Sequence, residues 1–181
     1  MPKYQDHHLY HVHNRGAHQS TVFRRPHHYR KCIGLLRKYS EQYQVTLVAF
    51  CLMPNHYDLI VRQEANGSVS RFLQTTFNAF VQYFNVMEKH SGTLFQGPAK
   101  SNSIDKEEYL LQLIRNVHLN PVAEKMVRNA AEWEFSDCSV WGSASGDFAG
   151  KLIRDAWFSD GKDYLRFLEE CQPGDIPQPA T

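Results

Sequence analysis

Apolar and polar residues in the first third of the chain follow the patterns of β-strands. Residues 45–53 form an apolar, β-branched run that predicts a central strand, which Pro54 and Asn55 interrupt. The pattern in residues 56–62 predicts a second strand, so the two segments form a hairpin-like pair. A shorter, partial alternation in residues 9–13, which stops at a turn, predicts an earlier strand.

Apolar residues at helical spacing predict helices between and after these strands. The predicted helices cover residues 27–44, 68–90, 105–120 and 163–170. Their boundaries are predicted from residues suited to helix ends, namely Pro26, Ser68 or Ser70, Asp105 and the Asn120-Pro121 pair. Pro121 is expected to end the third helix, because a residue before proline disfavours the α conformation. One or two short strands are predicted within residues 93–104.

The order of these elements, β-α-β-β-α-β followed by a helix, is typical of an α+β fold. It predicts a ferredoxin-like (split βαβ, RRM-like) antiparallel sheet with helices on one face, plus a C-terminal extension. The other face of the sheet is then expected to be open to a ligand. We expect residues 1–128 to form the main domain and residues 129–181 an acidic extension with one short helix and a proline-rich tail.

Charge is distributed unevenly between these two parts. Residues 1–128 carry 16 Lys and Arg against 9 Asp and Glu, whereas residues 129–181 carry 4 against 10. The net charge of +1 for the whole chain conceals this asymmetry. A basic body with an acidic tail favours a polyanionic partner such as nucleic acid, although a random surface imbalance would give the same numbers.

Composition also limits the location of the protein. The sequence contains no apolar run long enough to span a bilayer, and its polar, His-rich start has no apolar signal core, so we expect a cytoplasmic protein with no membrane partner. The four cysteines are scattered without a C-x-x-C pair, which argues against a zinc ribbon or a disulfide scaffold. Reduced thiols are expected.

The clearest candidate for chemistry is the start of the strand at residues 56–62. Side chains alternate along a strand, so His56 and Asp58 face one side and Tyr57 faces the other. An imidazole and a carboxylate on one face can share a divalent cation, and this donor pair suits Mn²⁺ better than Mg²⁺. Because the spacing is common, a surface His and Asp on an amphipathic strand is the alternative interpretation.

The segments that flank this pair resemble the blocks of a known family. They are residues 10–16 (YHVHNRG), 52–56 (LMPNH), 95–97 (FQG) followed by Lys100 and Ser101, and 116–121 (NVHLNP), with a weaker block at 136–139 (SDCS). In order and spacing they are similar to the REP-associated tyrosine transposases. These are relatives of the single-tyrosine HUH transposases of bacterial insertion sequences, which act on single-stranded DNA. The resemblance covers about two thirds of the chain, from about residue 8 to 128.

The resemblance implies DNA cleavage and joining in transposition, with Mg²⁺ or Mn²⁺ as cofactor. In such enzymes two histidines around a hydrophobic residue bind the cation, with a third ligand from the last helix. The cation polarises a scissile phosphate. A tyrosine on that helix then attacks the phosphate and forms a 5′-phosphotyrosine. By this resemblance the metal ligands are expected at His56, Asp58 and Asn120.

The chain departs from the family pattern at two positions. The second histidine of the motif is replaced by Asp58, which can still bind a hard cation, and the nucleophilic tyrosine is replaced by Asn116, which cannot attack a phosphate. Asn116 and Asn120 share a helix face at i and i+4. Tyr109, about two turns before Asn116, is the nearest candidate for a substitute nucleophile, and packing in the first helical turn is the alternative.

Several other residues have both a functional and a structural interpretation. The candidate DNA contacts are the basic residues Arg15, Arg24, Arg25, Lys100 and Arg115. His118 either orients a phosphate or a neighbouring group, or packs within the helix. His11 and His13 are interpreted as strand-edge residues rather than ligands. Three aromatic residues either stack on unpaired bases or belong to the core, namely Tyr10, Phe95 and Trp141.

Three functions are therefore compared. The first is a transposase-like protein that binds single-stranded or hairpin DNA across the basic sheet face, with residual or altered nuclease activity. The second is a binding module that kept the fold and lost cleavage, and Asn116 favours it. The third, an RNA-binding protein, is disfavoured because the aromatic ribonucleoprotein strand motif is absent. Both a monomer and a homodimer are compatible with the sequence.

Overall fold

The computed structural model describes residues 4–143 and 148–170. The strands are β1 (Leu9–Arg15), β2 (Val45–Met53), β3 (His56–Gln63) and β4 (Lys100–Ile104). The helices are α1 (Pro26–Gln42), α2 (Val69–Glu88), α3 (Glu107–Ala123), α4 (Cys138–Trp141), α5 (Lys151–Trp157) and α6 (Gly161–Glu169). None of the helices in these residues has the length and apolarity required to cross a membrane.

The strands form one antiparallel sheet in the order β2-β3-β1-β4 within the described residues. β2 and β3 make the predicted hairpin around Pro54 and Asn55, and β1 pairs with both β3 and β4. The element order is the one that the sequence predicts, and the α+β, ferredoxin-like fold is confirmed. Pro26 is in the first turn of α1, and the Ser68 side chain caps α2 by accepting the N–H of Arg71 at 3.3 Å.

One face of the sheet is covered by the first two helices. Alternate strand residues such as Val12, Leu59 and Val61 are buried there against aromatic residues of α2, including Phe72 and Phe80. Tyr10 and Phe95 belong to this core, with 4% and 7% of their surface exposed, so base stacking is not available to them. The hydrophobic effect on this face holds α1 and α2 on the sheet.

The other face of the sheet is not open, which corrects the sequence-based expectation. α3 and parts of the C-terminal extension cover it, and a second core joins Cys51 and Ile60 of the sheet to Ile114, Trp141 and Tyr164. Trp141 is fully buried there, as its core interpretation predicts. The burial of both faces explains why β2 reads as a continuous apolar run rather than an alternation. Among the described residues, the polar end of this face remains for a ligand.

Two predicted boundaries of α3 are wrong. Asp105 does not cap the helix. Its carboxylate accepts a hydrogen bond from the Ser103 hydroxyl at 2.6 Å, and Lys106 occupies the N-cap position. The helix also continues through Pro121 to Ala123. Pro121 removes one backbone hydrogen-bond donor near the end of α3. Tertiary packing holds this helix, so the loss of one hydrogen bond does not end it.

The C-terminal extension contains more helix than the pattern predicts. Three short helices, α4, α5 and α6, are present in the described residues after 129, where one was expected, and α6 corresponds to the predicted one. Short helices with one or two apolar residues per turn give a weak periodic signal, since their stability comes from packing. The proline-rich tail lies outside the described residues.

The core of α2 gives a direct test of the fold. Phe80 is fully buried between the helix and the sheet, so Phe80→Ala is expected to lower the free energy of unfolding by about 3–5 kcal/mol. Val86 on the same helix is 78% exposed, and Val86→Ala is expected to change it by less than about 0.5 kcal/mol. Denaturant unfolding followed by circular dichroism measures both. Equal effects of the two substitutions would contradict the placement of α2.

Candidate functional site

A cavity of about 500 Å³ lies between the polar end of the sheet and α3. Its sheet wall includes His11, His13, Arg15, His56 and Asp58, and its helix wall includes Tyr109, Asn116 and Asn120. It therefore contains the whole predicted metal set and two of the three predicted catalytic positions. Donors from three elements that are separate in sequence, β1, β3 and α3, meet at this place.

The pairing of β1 with β3 creates the sheet wall. The register places His13 opposite Asp58 and Arg15 opposite His56. Directly opposed residues in an antiparallel pair point to the same face, so these four side chains form one polar patch. Lys100 of β4 is opposite His13 on its other side and extends the patch to the sheet edge.

Asp58 is the centre of the contacts in this patch. Its Oδ1 accepts a hydrogen bond from Nε2 of His11 at 2.8 Å, and its Oδ2 accepts one from Nδ2 of Asn120 at 3.1 Å. Nε2 of His56 lies 3.6 Å from Oδ2. The Asp58 side chain is 15% exposed and that of His56 is 24% exposed, so solvent reaches both. The groups converge, and apolar side chains do not seal them.

The protonation state of the patch follows from burial and charge. Burial raises the pKa of the Asp58 carboxyl, but the hydrogen bond from His11 and the charges of the nearby histidines outweigh it and hold the pKa below its usual value. Burial lowers the pKa of His13, and the neighbouring charge of His11 lowers it further. The site at neutral pH therefore contains a carboxylate anion beside a neutral His13.

His56 has a fixed orientation that suits a cation ligand. Its Nδ1 lies 2.7 Å from Oδ1 of Asn55, which can only accept, so Nδ1 carries the proton and Nε2 carries the lone pair in the neutral ring. That lone pair faces Oδ2 of Asp58. Two electron-rich atoms at this separation repel each other unless a cation or a proton lies between them. A hydrogen-bond partner on the other ring nitrogen, as Asn55 is here, is typical of metal-binding histidines.

The helix wall supplies amide groups to the same place. Oδ1 of Asn116 is buried and has no hydrogen-bond partner in the described part of the chain. An orphaned buried carbonyl is costly, and a cation or a bound donor would satisfy it. Asn120 already contacts Asp58, and rotation of its amide group presents its oxygen instead. The donors present therefore fit a hard divalent cation such as Mn²⁺ or Mg²⁺.

Tyr109 also lies on the cavity wall. It is in the first turn of α3 and 41% exposed, so it is not a packing residue of the core. Tyr109 therefore borders the cavity and is accessible to solvent. Tyr57, in contrast, is 1% exposed and stacks on Phe77 in the core, with ring centroids 4.2 Å apart.

His118 faces away from the cavity, which corrects its assignment as a catalytic group in contact with a phosphate. It is fully buried, and its two ring nitrogens contact the Tyr164 hydroxyl at 2.5 Å and Oδ1 of Asp137 at 2.9 Å. Two residues along a helix correspond to a rotation of about 200°, so a residue midway between Asn116 and Asn120 points to the other side. Its contacts fit the other two interpretations, orientation of a neighbouring group and packing within the fold.

The predicted DNA contacts are divided between the cavity and other surfaces. Arg15 lines the cavity and an adjoining groove of about 490 Å³. Arg115 is not on the cavity wall, because its guanidinium lies over the Phe167 ring of α6, 4.5 Å from the centroid. Arg24 and Arg25 lie at the start of α1, where both guanidinium groups approach Glu88.

A second group of potential metal donors surrounds Glu88, and we assign it to an ion-pair cluster. His27, His28 and Glu88 are close enough to share a cation. However, Arg24 and Arg25 lie 3.5 and 3.6 Å from the two carboxylate oxygens. The Arg24 backbone N–H donates to Nδ1 of His28 at 3.2 Å, so a neutral His28 keeps its proton on Nε2, facing Glu88 at 3.3 Å. The cluster joins α1 to the end of α2.

His11 and His13 are the site residues that sequence reasoning missed. They were interpreted as strand-edge residues, whereas they stack on each other with ring centroids 5.2 Å apart and surround Asp58. Their i, i+2 spacing on a strand was the available signal. It could not be used without knowing that β1 lies next to β3.

Comparison with known proteins places the fold in a family. The model of the family described as "Transposase IS200 like" matches residues 4–107, which include the four strands, His56 and Asp58. No curated protein matches the sequence.

Two solved structures are similar to this one. One is a REP-associated tyrosine transposase bound to a REP hairpin, with 14% identity, a TM-score of 0.61, and coverage of 76% of this chain and 80% of that chain. The other is a candidate transposase from Deinococcus radiodurans R1, with 16% identity, a TM-score of 0.46, and coverage of 61% and 91%. At these identities the first likeness concerns the fold. Since the family model covers more than half of the sequence, the protein belongs to the IS200-like transposase family.

Proposed function

We propose that this protein binds single-stranded or hairpin DNA at the cavity between the sheet and α3, as a transposase-type protein that uses Mn²⁺ or Mg²⁺. In this proposal His56, Asp58 and Asn120 hold the cation, and Arg15 contacts the DNA backbone. The family membership and the hairpin bound by the similar transposase support a DNA partner. The uneven charge of the chain supports a polyanion.

One observation carries the proposal more than any other. Nε2 of His56 and Oδ2 of Asp58 face each other at 3.6 Å, with the histidine proton directed to Asn55. Neutral imidazole and carboxylate lone pairs in such an arrangement are complementary to a positive charge between them. The amides of α3 close the same space from the opposite side.

Each residue of the site has a separate role in this proposal. When bound, the cation would draw electron density from a scissile phosphate, which makes the phosphorus more electrophilic. His11 holds the Asp58 carboxylate in place through a 2.8 Å hydrogen bond. Asn55 orients His56. Arg15, at the junction of the cavity and the adjoining groove, neutralises a backbone phosphate on the way in.

Tyr109 is the proposed nucleophile if cleavage occurs. It is a tyrosine of α3 that lines the cavity and is 41% exposed. Its oxygen would form a bond to phosphorus while the bond from phosphorus to the 3′-oxygen breaks, and the leaving oxygen would take a proton. A 5′-phosphotyrosine and a free 3′-hydroxyl would result. This path differs from the family arrangement by about two helical turns.

A DNA-binding module without cleavage is the second candidate function. Asn116 favours it, because a carboxamide stands where the family has its nucleophilic tyrosine, and a carboxamide cannot form a stable phosphoester. In that case the cation and the basic residues would serve binding alone. The two candidates share the site and differ only in whether a covalent intermediate forms.

The cation site is tested by Asp58→Ala. Loss of the central carboxylate is expected to weaken Mn²⁺ binding at least about tenfold in titration calorimetry. Glu134→Ala is the matched control, because that carboxylate is 62% exposed and pairs with Arg30 outside the cavity. Unchanged Mn²⁺ affinity in the folded Asp58→Ala protein would reject the assigned ligands.

The nucleophile is tested with labelled single-stranded hairpin DNA and Mn²⁺. A covalent protein–DNA band that resists denaturation is expected from the native protein, and Tyr109→Phe is expected to abolish it, because phenylalanine has no attacking oxygen. Tyr83→Phe on α2, outside the cavity wall, is the control and should keep the band. Bound DNA with no band from the native protein would instead establish the non-cleaving module.

The DNA contact is tested by its dependence on salt. Affinity for the hairpin is expected to fall at least about tenfold between about 50 and 200 mM salt, since bound phosphates release counterions. Arg15→Ala should reduce the slope of log affinity against log salt by about 1, whereas Lys162→Ala in the acidic extension should leave it unchanged. Flat affinity over this range would contradict phosphate binding.

A further inference from the structure

α3 presents two different polar faces to its surroundings. Asn116 and Asn120 are on the cavity wall, whereas His118 is fully buried on the opposite side, against the C-terminal extension. Any rotation or sliding of the helix that changes the contacts of His118 therefore also moves the two amides. A change in the contacts between α3 and the extension is therefore transmitted to the cavity wall.

The contact of His118 with the extension is a directed chain of hydrogen bonds. Burial raises the pKa of Tyr164 well above its usual value, so the hydroxyl stays protonated. Its O–H donates a hydrogen bond to Nδ1 of His118 at 2.5 Å. We assign the ring proton to Nε2, which donates to Oδ1 of Asp137 at 2.9 Å. Each donor in the chain has one acceptor, and each ring nitrogen is satisfied.

Asp137 anchors this chain to the rest of the fold. Its Oδ1 also accepts the backbone N–H of Phe50 in β2 at 2.7 Å, and its Oδ2 accepts Nε1 of Trp141 in α4 at 3.2 Å. One carboxylate thus joins a strand of the sheet, α3 and the extension. With 13% of its side chain exposed, it is a nearly buried charge that these donors must stabilise.

Apolar packing alone would not hold α3 in one rotational position. Its apolar contacts with the sheet come from Leu110, Leu113, Ile114 and Val117, and hydrophobic burial is non-directional. Pro121 follows Asn120 directly and offers no backbone N–H to the preceding turn. Hydrogen bonds to the His118 side chain in this turn can fix the rotation of α3, because hydrogen bonds weaken steeply when they are misaligned.

We propose that His118 is a positioning residue, through which Asp137 and Tyr164 of the extension hold the amide face of α3 against Asp58. The extension is then a structural part of the DNA-binding site, although none of its described residues lines the cavity. The role of the two amides in cation binding rests on the proposed function. Their position does not, because the contact from Asn120 to Asp58 at 3.1 Å is present in the protein itself.

Tyr164→Phe tests the proposal, since it removes only the hydroxyl that contacts His118. Trp133→Phe is the matched control, because it removes another side-chain hydrogen bond between the extension and β2, from Nε1 to the Leu52 carbonyl at 3.0 Å, that does not involve His118. In the full-length protein without metal, the side-chain amide NMR signals of Asn116 and Asn120 report the position of α3. We expect them to shift or broaden in Tyr164→Phe and to be unchanged in Trp133→Phe.

Mn²⁺ affinity is the second readout. Tyr164→Phe is expected to weaken Mn²⁺ binding about tenfold, as loss of an orienting partner typically does, and Trp133→Phe to leave it unchanged. Asp137→Asn, which keeps the size of the side chain, provides a second variant of the same network should Tyr164→Phe fail to fold.

Unchanged amide signals in a folded variant of Tyr164 or Asp137 would overturn the positioning role. Equal shifts in Trp133→Phe would also overturn it, because they would indicate a general loss of stability. Absence of Mn²⁺ binding by the native protein would contradict the proposed cation site instead, and the amide signals would then decide the positioning role by themselves.

Discussion

The polar end of the sheet depends on how one carboxylate is stabilised. Asp58 lies mostly below the surface, where an unpaired charge would cost several kcal/mol, on the order of the whole stability of a small domain. A histidine from a neighbouring strand and an amide from α3 compensate it. The hydrogen bonds that stabilise this charge therefore fix β1, β3 and α3 relative to one another. Packing of the apolar cores brings these elements close but does not by itself fix their alignment.

The same helix, α3, contributes to the second core and to the cavity. Its apolar residues complete the second core, and its amides reach the cavity. His118, Asp137 and Tyr164 form the polar contact on the far side. The extension is thus in contact with the element that forms one cavity wall. The acidic character of this extension is compatible with burial of one of its carboxylates as an anchor.

By the resemblance to the REP-associated tyrosine transposases, Asp58 stands where an imidazole is expected and Asn116 where a tyrosine is expected. In the structure, His11 and His13 lie beside Asp58 and keep the patch rich in nitrogen donors. The side-chain carbonyl of Asn116 is buried and has no hydrogen-bond partner among the described residues. In the proposed function these changes keep the affinity for cations and phosphates and leave Tyr109 as the hydroxyl available on α3.

The sequence by itself determined the element order, the limits of β2, and the shared face of His56 and Asp58, because these follow from local periodicity and turn residues. It also identified the family through ordered blocks. It did not reveal the role of His11, since a hydrogen bond across 47 positions depends on strand register.

Only the tertiary structure decided which sides of α3 face the cavity and the extension, and so which of Asn116 and His118 lines the cavity. Helical periodicity places these residues on opposite sides but does not say what each side meets. The neighbours of each side of α3 are set when both faces of the sheet become buried, because packing partners depend on the whole chain and not on local periodicity.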